Sequence, residues 1–374
     1  MSSSIKSTAL EPDASFDGAA TSLSQRLLRA IPAYGLVVLT VALAVLFSVL
    51  LPDTFPTLFN LRAILSDKSI IALLALAAMI PMITGKIDLT VGYGIVLWHI
   101  LAISLQTRYG IPWPLAAFIV LCCAALFGML NGLLVELAQI DSFIATLGTG
   151  TVLYAVAMWH SGGRQVVGEL PPGFVDLAGA DLLGLPLPAF YVAAVALALW
   201  LLTEYTPLGR ALYVIGANPK AAELNGISVR HHVMGAFIGS GVLSGCAGVL
   251  LASRLQIGQA SVGLEFLLPA LVGAFLGSTT IRPGRVNVWG TVVGVTILAI
   301  GISGIQQFGG AFYVEPLFNG LTLLVSIGIA GWAQQRRNAS IRRRISERQL
   351  VQAAPLNSPS NPALTSLPPS QPDR

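Results

Sequence analysis

Apolar runs near the length of a bilayer alternate with short polar breaks along almost the whole chain. About 20 apolar residues, at 1.5 Å rise each, cross the ~30 Å hydrocarbon layer as a helix. On that measure the pattern predicts spans at 33–51, 70–84, 91–104 and 112–138, and from a tight turn at 141–146 to near His160. Further spans follow at 188–203, 233–255, 264–278, 286–305 and 312–332. The fold class is therefore an all-α polytopic membrane protein, with about ten transmembrane helices in two weakly related halves. A Pro-punctuated loop at 52–68 and a Gly- and Pro-rich loop at 161–187 are expected on the outer side. Pro81 interrupts the second span, which ends in Gly85-Lys86-Ile87-Asp88-Leu89-Thr90-Val91-Gly92.

One break differs in kind. The stretch 205–232, between the sixth and seventh spans, carries helix signals of its own. Asn218 is a good N-cap, Pro219 suits the first helical position, and Gly226 suits the stop. The enclosed helix has less than two turns and cannot cross a membrane. Isolated helices under ~12–15 residues are marginal in water, so something must hold this one. With Ala221 and Ala222 at its centre, its backbone offers close approach to a partner protein.

Composition narrows the class further. The 374 residues are 55% hydrophobic and 10% charged, against about 25% charged in an average soluble protein. A mean hydropathy of +0.77 excludes a single soluble core. The net charge of +4 comes from basic residues that flank spans, which reads as membrane topology and not as nucleic-acid binding. Arg26 and Arg29 precede the first span, and Arg336, Arg337, Arg342, Arg343 and Arg344 follow the last. Both termini, and the 205–232 loop with them, are thus expected in the cytoplasm. The organisation is a disordered cytoplasmic N-terminus at 1–30, a transmembrane domain at 31–333, and a tail at 334–374, first basic and then disordered. Cys122, Cys123 and Cys246 lie inside apolar runs as small buried hydrophobes.

No catalytic, cofactor-binding or metal-ligating residues are expected. His99, His160, His231 and His232 lack metal spacing, and the serines lack a nucleophile-elbow context. Gly85-Lys86 is no P-loop, since Ile87 stands where Ser or Thr is required. The candidate intramembrane acids, Asp88, Glu136 and Glu265, each fall near a span end, where solvation or capping is expected over a proton relay. Asp88 is expected to cap the third span and to stand as the charge partner of Lys86. An ion-coupled secondary transporter of a small polar solute is the alternative reading at this point.

Glycine supplies 38 residues, many at small-xxx-small spacing: Gly128 with Gly132, Gly241 with Gly245, Gly273 with Gly277, Gly290 with Gly294. Such spacing lets helices pack backbone to backbone in lipid. There is also a faint repeat, since Gly85-Lys86-Ile87-Asp88-Leu89 matches Gly284-Arg285-Val286-Asn287-Val288 in residue type. Paired interruptions of this sort are found in transporters built from two related halves, with the path near their interface.

The run Ile83 to Gly92 resembles the "TGGIDLSVG" signature of bacterial ABC-importer permeases for ribose and related carbohydrates. Phe143-Ile144-Ala145-Thr146-Leu147-Gly148 is similar to that family's "FIATLG" segment, and 206–227 resembles its "T.lGR.iyAiGgN..AA.lsGI" loop. The blocks stand in family order, and the similarity covers roughly 33–333. The resemblance implies a permease subunit in the inner membrane that moves a sugar or polyol. It would be paired with a second permease copy, driven by a cytoplasmic ATPase subunit and fed by a periplasmic sugar-binding protein. It places ATPase coupling on Gly209, Arg210, Gly216, Asn218, Pro219, Ala221, Ala222, Glu223 and Gly226. A translocation path or gate is expected at Gly85, Asp88, Thr90, Gly92, Phe143, Thr146 and Asn287. The chain departs from the pattern at Lys86, where the family has a second glycine, and at 276–285, where the family tends to be Gly-rich.

Overall fold

The computed structural model describes residues 23–310, 313–325 and 328, with side chains from residue 34 onward. Segment 1–22, expected to be disordered, and segment 334–374, expected to be basic and then disordered, lie outside the described residues, as does the arginine cluster after the last span. Helix α1 (Leu23–Leu50) begins earlier than expected, so 23–30 are helical. That stretch is built of Leu, Gln, Arg and Ala with one Ser, mostly strong helix formers, and the reading of 1–30 as disordered is corrected there.

The remaining helices are α2 (Leu58–Ile83), α3 (Thr90–Thr107), α4 (Trp113–Glu136), α5 (Ser142–Ser161), α6 (Pro172–Gly179) and α7 (Leu187–Tyr205). They continue with α8 (Pro207–Ala217), α9 (Pro219–Leu224), α10 (Val229–Leu255), α11 (Leu267–Leu276) and α12 (Val288–Gln307), then α13 (Val314–Val325). The chain is an all-α polytopic membrane protein. Among the described residues the only sheet is a hairpin of β1 (Asp181–Leu182) and β2 (Leu185–Pro186).

Seven helices among the described residues are long and apolar enough to cross a membrane: α2, α3, α4, α5, α7, α10 and α12. The other expected spans correspond to shorter apolar stretches, Tyr34–Leu50, Leu264–Leu276 and Val314–Val325. The expected eighth span, 264–278, is a 3-10 turn (Leu264–Phe266) leading into the ten-residue α11. At ~1.5 Å per residue α11 reaches only about half the hydrocarbon depth. The expected loop 52–68 is likewise corrected, because α2 starts at Leu58 with the Thr57 hydroxyl capping the Asn60 amide at 3.1 Å. Asp67 and Lys68 sit on that first stretch of α2 and pair with Arg254 and Glu315. The prolines that suggested a loop, Pro52 and Pro56, both lie before the start of α2.

Helix α2 is the axis of the molecule. It is buried continuously from Ser69 to Ile83, as expected of a helix that is apolar all round. Helices α10, α11 and α12 pack on it, and α10 packs along α4 through glycine. A Cβ on Gly128 would strike the Phe237 carbonyl oxygen, and one on Gly241 the Ala124 carbonyl oxygen. The α11–α12 pair is closed the same way, with Gly294 against the Gly273 carbonyl oxygen and Gly290 against that of Gly277. This is the backbone-to-backbone contact that the small-residue spacing predicts.

The bundle has two ends. One carries the hairpin, α6, and a bridge between Val166 and Gly258. The other carries α8, α9, the break between α2 and α3, and the break between α11 and α12.

Candidate functional site

The break between α2 and α3 is irregular backbone buried in protein, which a membrane tolerates only where every polar group is satisfied. Pro81, near the end of α2, supplies a carbonyl that accepts from the Thr84 amide at 2.9 Å and the Lys86 amide at 3.1 Å. Gly85 turns the chain at φ +80°, a conformation that costs glycine nothing. Beyond it, α5 supplies the acceptors. The Ile87 amide donates to the Ser142 hydroxyl at 3.1 Å, and the Leu89 amide donates to the Thr146 hydroxyl at 3.1 Å. Thr146, fully buried, donates its own hydroxyl hydrogen to the Ser142 carbonyl at 2.7 Å.

Asp88 lies at the centre of this bend and is fully buried. One carboxyl oxygen accepts from the Thr90 amide at 2.9 Å and from the Thr90 hydroxyl; the other accepts from Ser240 of α10 at 2.7 Å. Thr90 in turn accepts from Asn131 of α4 at 3.2 Å, and Asn131 accepts from Thr149 of α5 at 2.6 Å. Ser244, one turn beyond Ser240, donates to the Val91 carbonyl at 3.1 Å. A polar chain thus joins α3, α4, α5 and α10.

Two expectations about Asp88 are corrected. It is enclosed and not solvated, because Ser240 sits eleven residues inside α10. Nor is it the partner of Lys86, whose ammonium group pairs with Glu136 at 3.4 Å. The expected cap is corrected as well: Leu89 holds the N-cap position without a side-chain bond, and Asp88, one residue earlier, accepts from the Thr90 amide. Glu136 and Glu265 are engaged as well, the latter accepting from the Gly263 amide at 2.8 Å.

The second break repeats the first. Gly284 turns at φ +84°, and Asn287 caps α12 by accepting from the Gly290 amide at 2.8 Å. The Asn287 amide group ties the loop together by donating to the Gly277 and Thr280 carbonyls at 2.8 and 3.0 Å. Here too the base after the glycine meets a glutamate near a helix end: Arg285 lies 4.0 Å from Glu204, and Arg282 2.5 Å from it.

Helix α8 touches both breaks. Gly216 rests on the first, where a Cβ would collide with the Ile83 carbonyl oxygen. Tyr213 reaches the second, donating its hydroxyl to the Val286 carbonyl at 3.0 Å beneath the Arg285 guanidinium, which lies 3.3 Å from the ring centroid. Burial pushes the Tyr213 phenol up, opposed by Arg285, and so favours the protonated donor. Gly209 lets α8 leave α7 tightly, against the Thr203 and Leu202 carbonyls.

After α8 comes α9, six residues long and capped as the sequence predicts. Asn218 accepts from the Ala221 amide at 3.1 Å, Pro219 is its first residue, and Gly226 follows at φ +77°. The idea that Ala222 leaves room for a partner is corrected. Ala222 is fully buried against Val135, Ala145, Ile215, Val229, Val233 and Phe237 of its own chain. That cluster is what holds so short a helix. Lys220 and Glu223 are exposed, and Leu224 is 89% exposed at the tip.

Of the residues expected at a path or gate, the structure brings Gly85, Asp88, Thr90 and Thr146 together, with Gly92 seated nearby against Leu267. Phe143 is half-exposed on the outer face of α5, and Asn287 belongs to the second break. Of the expected coupling residues, Arg210 is exposed on α8. Sequence reasoning missed Ser240, Asn131, Thr149, Tyr213 and Glu204. Ser240 and Ser244, four apart on one face of α10, were the available signal.

Residues 60–330 match the family model described as the branched-chain amino acid transport system / permease component. The chain belongs to this permease family. It is 29% identical over 290 residues to the ribose import permease protein RbsC of Haemophilus influenzae, which covers 77% of this chain and 89% of that one. It is 30% identical over 302 residues to the autoinducer 2 import system permease protein LsrD of Escherichia coli K12, covering 79% of this chain and 91% of that one. The LsrD protein of Shigella flexneri matches at the same identity and coverage. No solved structure matches the chain. The protein is a multi-pass permease component of an ABC importer, and the secondary-transporter alternative is not favoured.

Proposed function

We propose that this permease forms the membrane path for a sugar or polyol, driven by a separate cytoplasmic ATPase subunit and fed by a periplasmic binding protein. The single observation that carries the reading is α8–α9: a capped element outside the spans, touching both breaks and presenting Lys220, Glu223 and Leu224 outward. Such an element couples an external motor to the spans. The relatives' names, ribose import and autoinducer 2 import, support a small polyhydroxylated solute. In this reading the α8–α9 end faces the cytoplasm with both termini. Segment 1–30 would serve as an N-terminal extension, 31–333 as the permease domain and 334–374 as the tail.

A second copy of this chain would complete the path. Helix α5 supports that assembly: it packs mainly on α3 and leaves Phe143, Ile144, Leu147, Val152 and Met158 on its outer side. The gate role falls to the Asp88–Thr90–Thr146 bend and coupling to α8–α9. The test is co-expression with a cognate ATPase and binding protein. The expected result is that the ATPase co-purifies and that labelled sugar enters vesicles only with ATP and the binding protein. ATP-independent uptake driven by an ion gradient would overturn the reading.

A further inference from the structure

Toward the α8–α9 end, α7 and α10 part and leave a cavity of about 610 Å³. Leu199 and Leu202 of α7 form one wall, Gly235 and Gly239 of α10 the other, and Ile80 of α2 lines it between them. The space exists because α10 is bare there. A Cβ on Gly235 would meet nothing within 4 Å, and one on Gly239 would first meet Ile80 Cδ1 at 3.6 Å. Along α10 the lining runs from His231 to Leu243, about 18 Å at helical rise and so close to the ~15 Å depth of one leaflet's hydrocarbon.

The end of the slot nearest α9 is polar. His231 and His232 line it, and both commit Nδ1 to Ser228: His231 to the hydroxyl at 2.6 Å, His232 to the carbonyl at 2.7 Å. A carbonyl only accepts, so His232 Nδ1 carries the hydrogen, and Nε2 donates to a phosphate when the ring is the doubly protonated imidazolium. Arg230 beside them and Arg210 on α8 are exposed cations on the same end of the bundle. An apolar slot of leaflet length with two imidazoles at its polar end, on the end of the bundle that also carries Arg210 and Arg230, is the complement of an anionic phospholipid. Walls of leucine, valine and glycine offer a sugar no hydrogen bonds.

We propose that this slot binds one acyl chain of an anionic phospholipid, with its phosphate at His231 and His232. The lipid would set the spacing of α7 and α10 beneath α8. The inference is independent of which solute the permease moves.

Native mass spectrometry of the full-length permease, with dioleoyl phosphatidylglycerol or dioleoyl phosphatidylcholine added, tests it. The expected result is one phosphatidylglycerol retained per chain, with phosphatidylcholine held roughly tenfold more weakly. Gly235→Leu fills the slot and removes the retained lipid. Gly235→Val serves where the leucine variant does not accumulate. The double variant His231→Gln, His232→Gln lowers phosphatidylglycerol to the level of phosphatidylcholine. Equal retention of the two lipids, or undiminished binding in the filled-slot variants, would overturn the proposal. So would lipid binding that emerges only after removal of residues 334–374, because the chain's own tail would then be the occupant.

Discussion

At the scale of single residues the buried Asp88 separates two roles that a sequence confuses. Its carboxyl group receives three hydrogen bonds, from the Thr90 amide, the Thr90 hydroxyl and Ser240. An asparagine in its place would keep one acceptor oxygen for Thr90, and the Ser240 hydroxyl can turn from donor to acceptor. We therefore expect Asp88→Asn to accumulate and unfold like the parent protein. Asp88→Ala orphans buried donors, each costing about 1–3 kcal/mol, and should lower abundance and unfolding temperature. A parent-like Asp88→Ala protein in detergent thermal melts would show that the bend does not depend on the carboxyl group. The position of Asp88 between Gly85 and Gly92 was legible in the sequence as a break. Its partners were not, because Ser240 lies 152 residues away and Glu136 competes for Lys86.

At the scale of elements, α9 and α11 show where sequence reading works and where it stops. The limits of α9 follow from Asn218, Pro219 and Gly226, whose capping chemistry is local. Which face of α9 is buried is not local, since it depends on Val135, Ala145 and Phe237 from three other helices. Helix α11 is shorter than its apolar run because Gly263, at φ +129°, and the 3-10 turn delay its start. The burial of Ala222 reverses the obvious experiment on α9. Ala222→Trp overfills the chain's own cluster at a cost of about 1–3 kcal/mol or more, so lost abundance is expected. Leu224→Asp instead changes a side chain that is 89% exposed, and the fold should be untouched. Under the proposed function, the Leu224→Asp permease should reach the membrane in normal amount yet fail to retain the ATPase on co-purification. Normal ATPase retention by that variant would mean the tip of α9 is not the contact.

At the scale of the whole molecule, the five-residue repeat turns out to be two equivalent joints. Each has a left-handed glycine, a base paired with a glutamate near a helix end, and an Asx residue that orders the following helix. The sequence showed the repeat but not the single helix that spans it, because Gly216 and Tyr213 are an ordinary small residue and an ordinary aromatic until folding sets them on Ile83 and Val286. Three residues apart on α8, under the proposed function they would carry a displacement of that helix to both joints at once. Tyr213→Phe keeps the ring beneath Arg285 and deletes the hydroxyl that donates to the Val286 carbonyl and also interacts with Arg285 and Thr203, at about 1 kcal/mol for each typical bond lost. The fold and the α9 surface should survive, so the ATPase should still bind and hydrolyse ATP. The second joint, fastened to α8 only by the stacking of Arg285 on the ring, should respond less to that hydrolysis. The expected outcome in vesicles carrying the complete importer is a several-fold rise in ATP consumed per solute imported. A merely structural tyrosine would lower both activities together and leave their ratio unchanged. That unchanged ratio, measured at equal permease abundance, would remove Tyr213 from the coupling route.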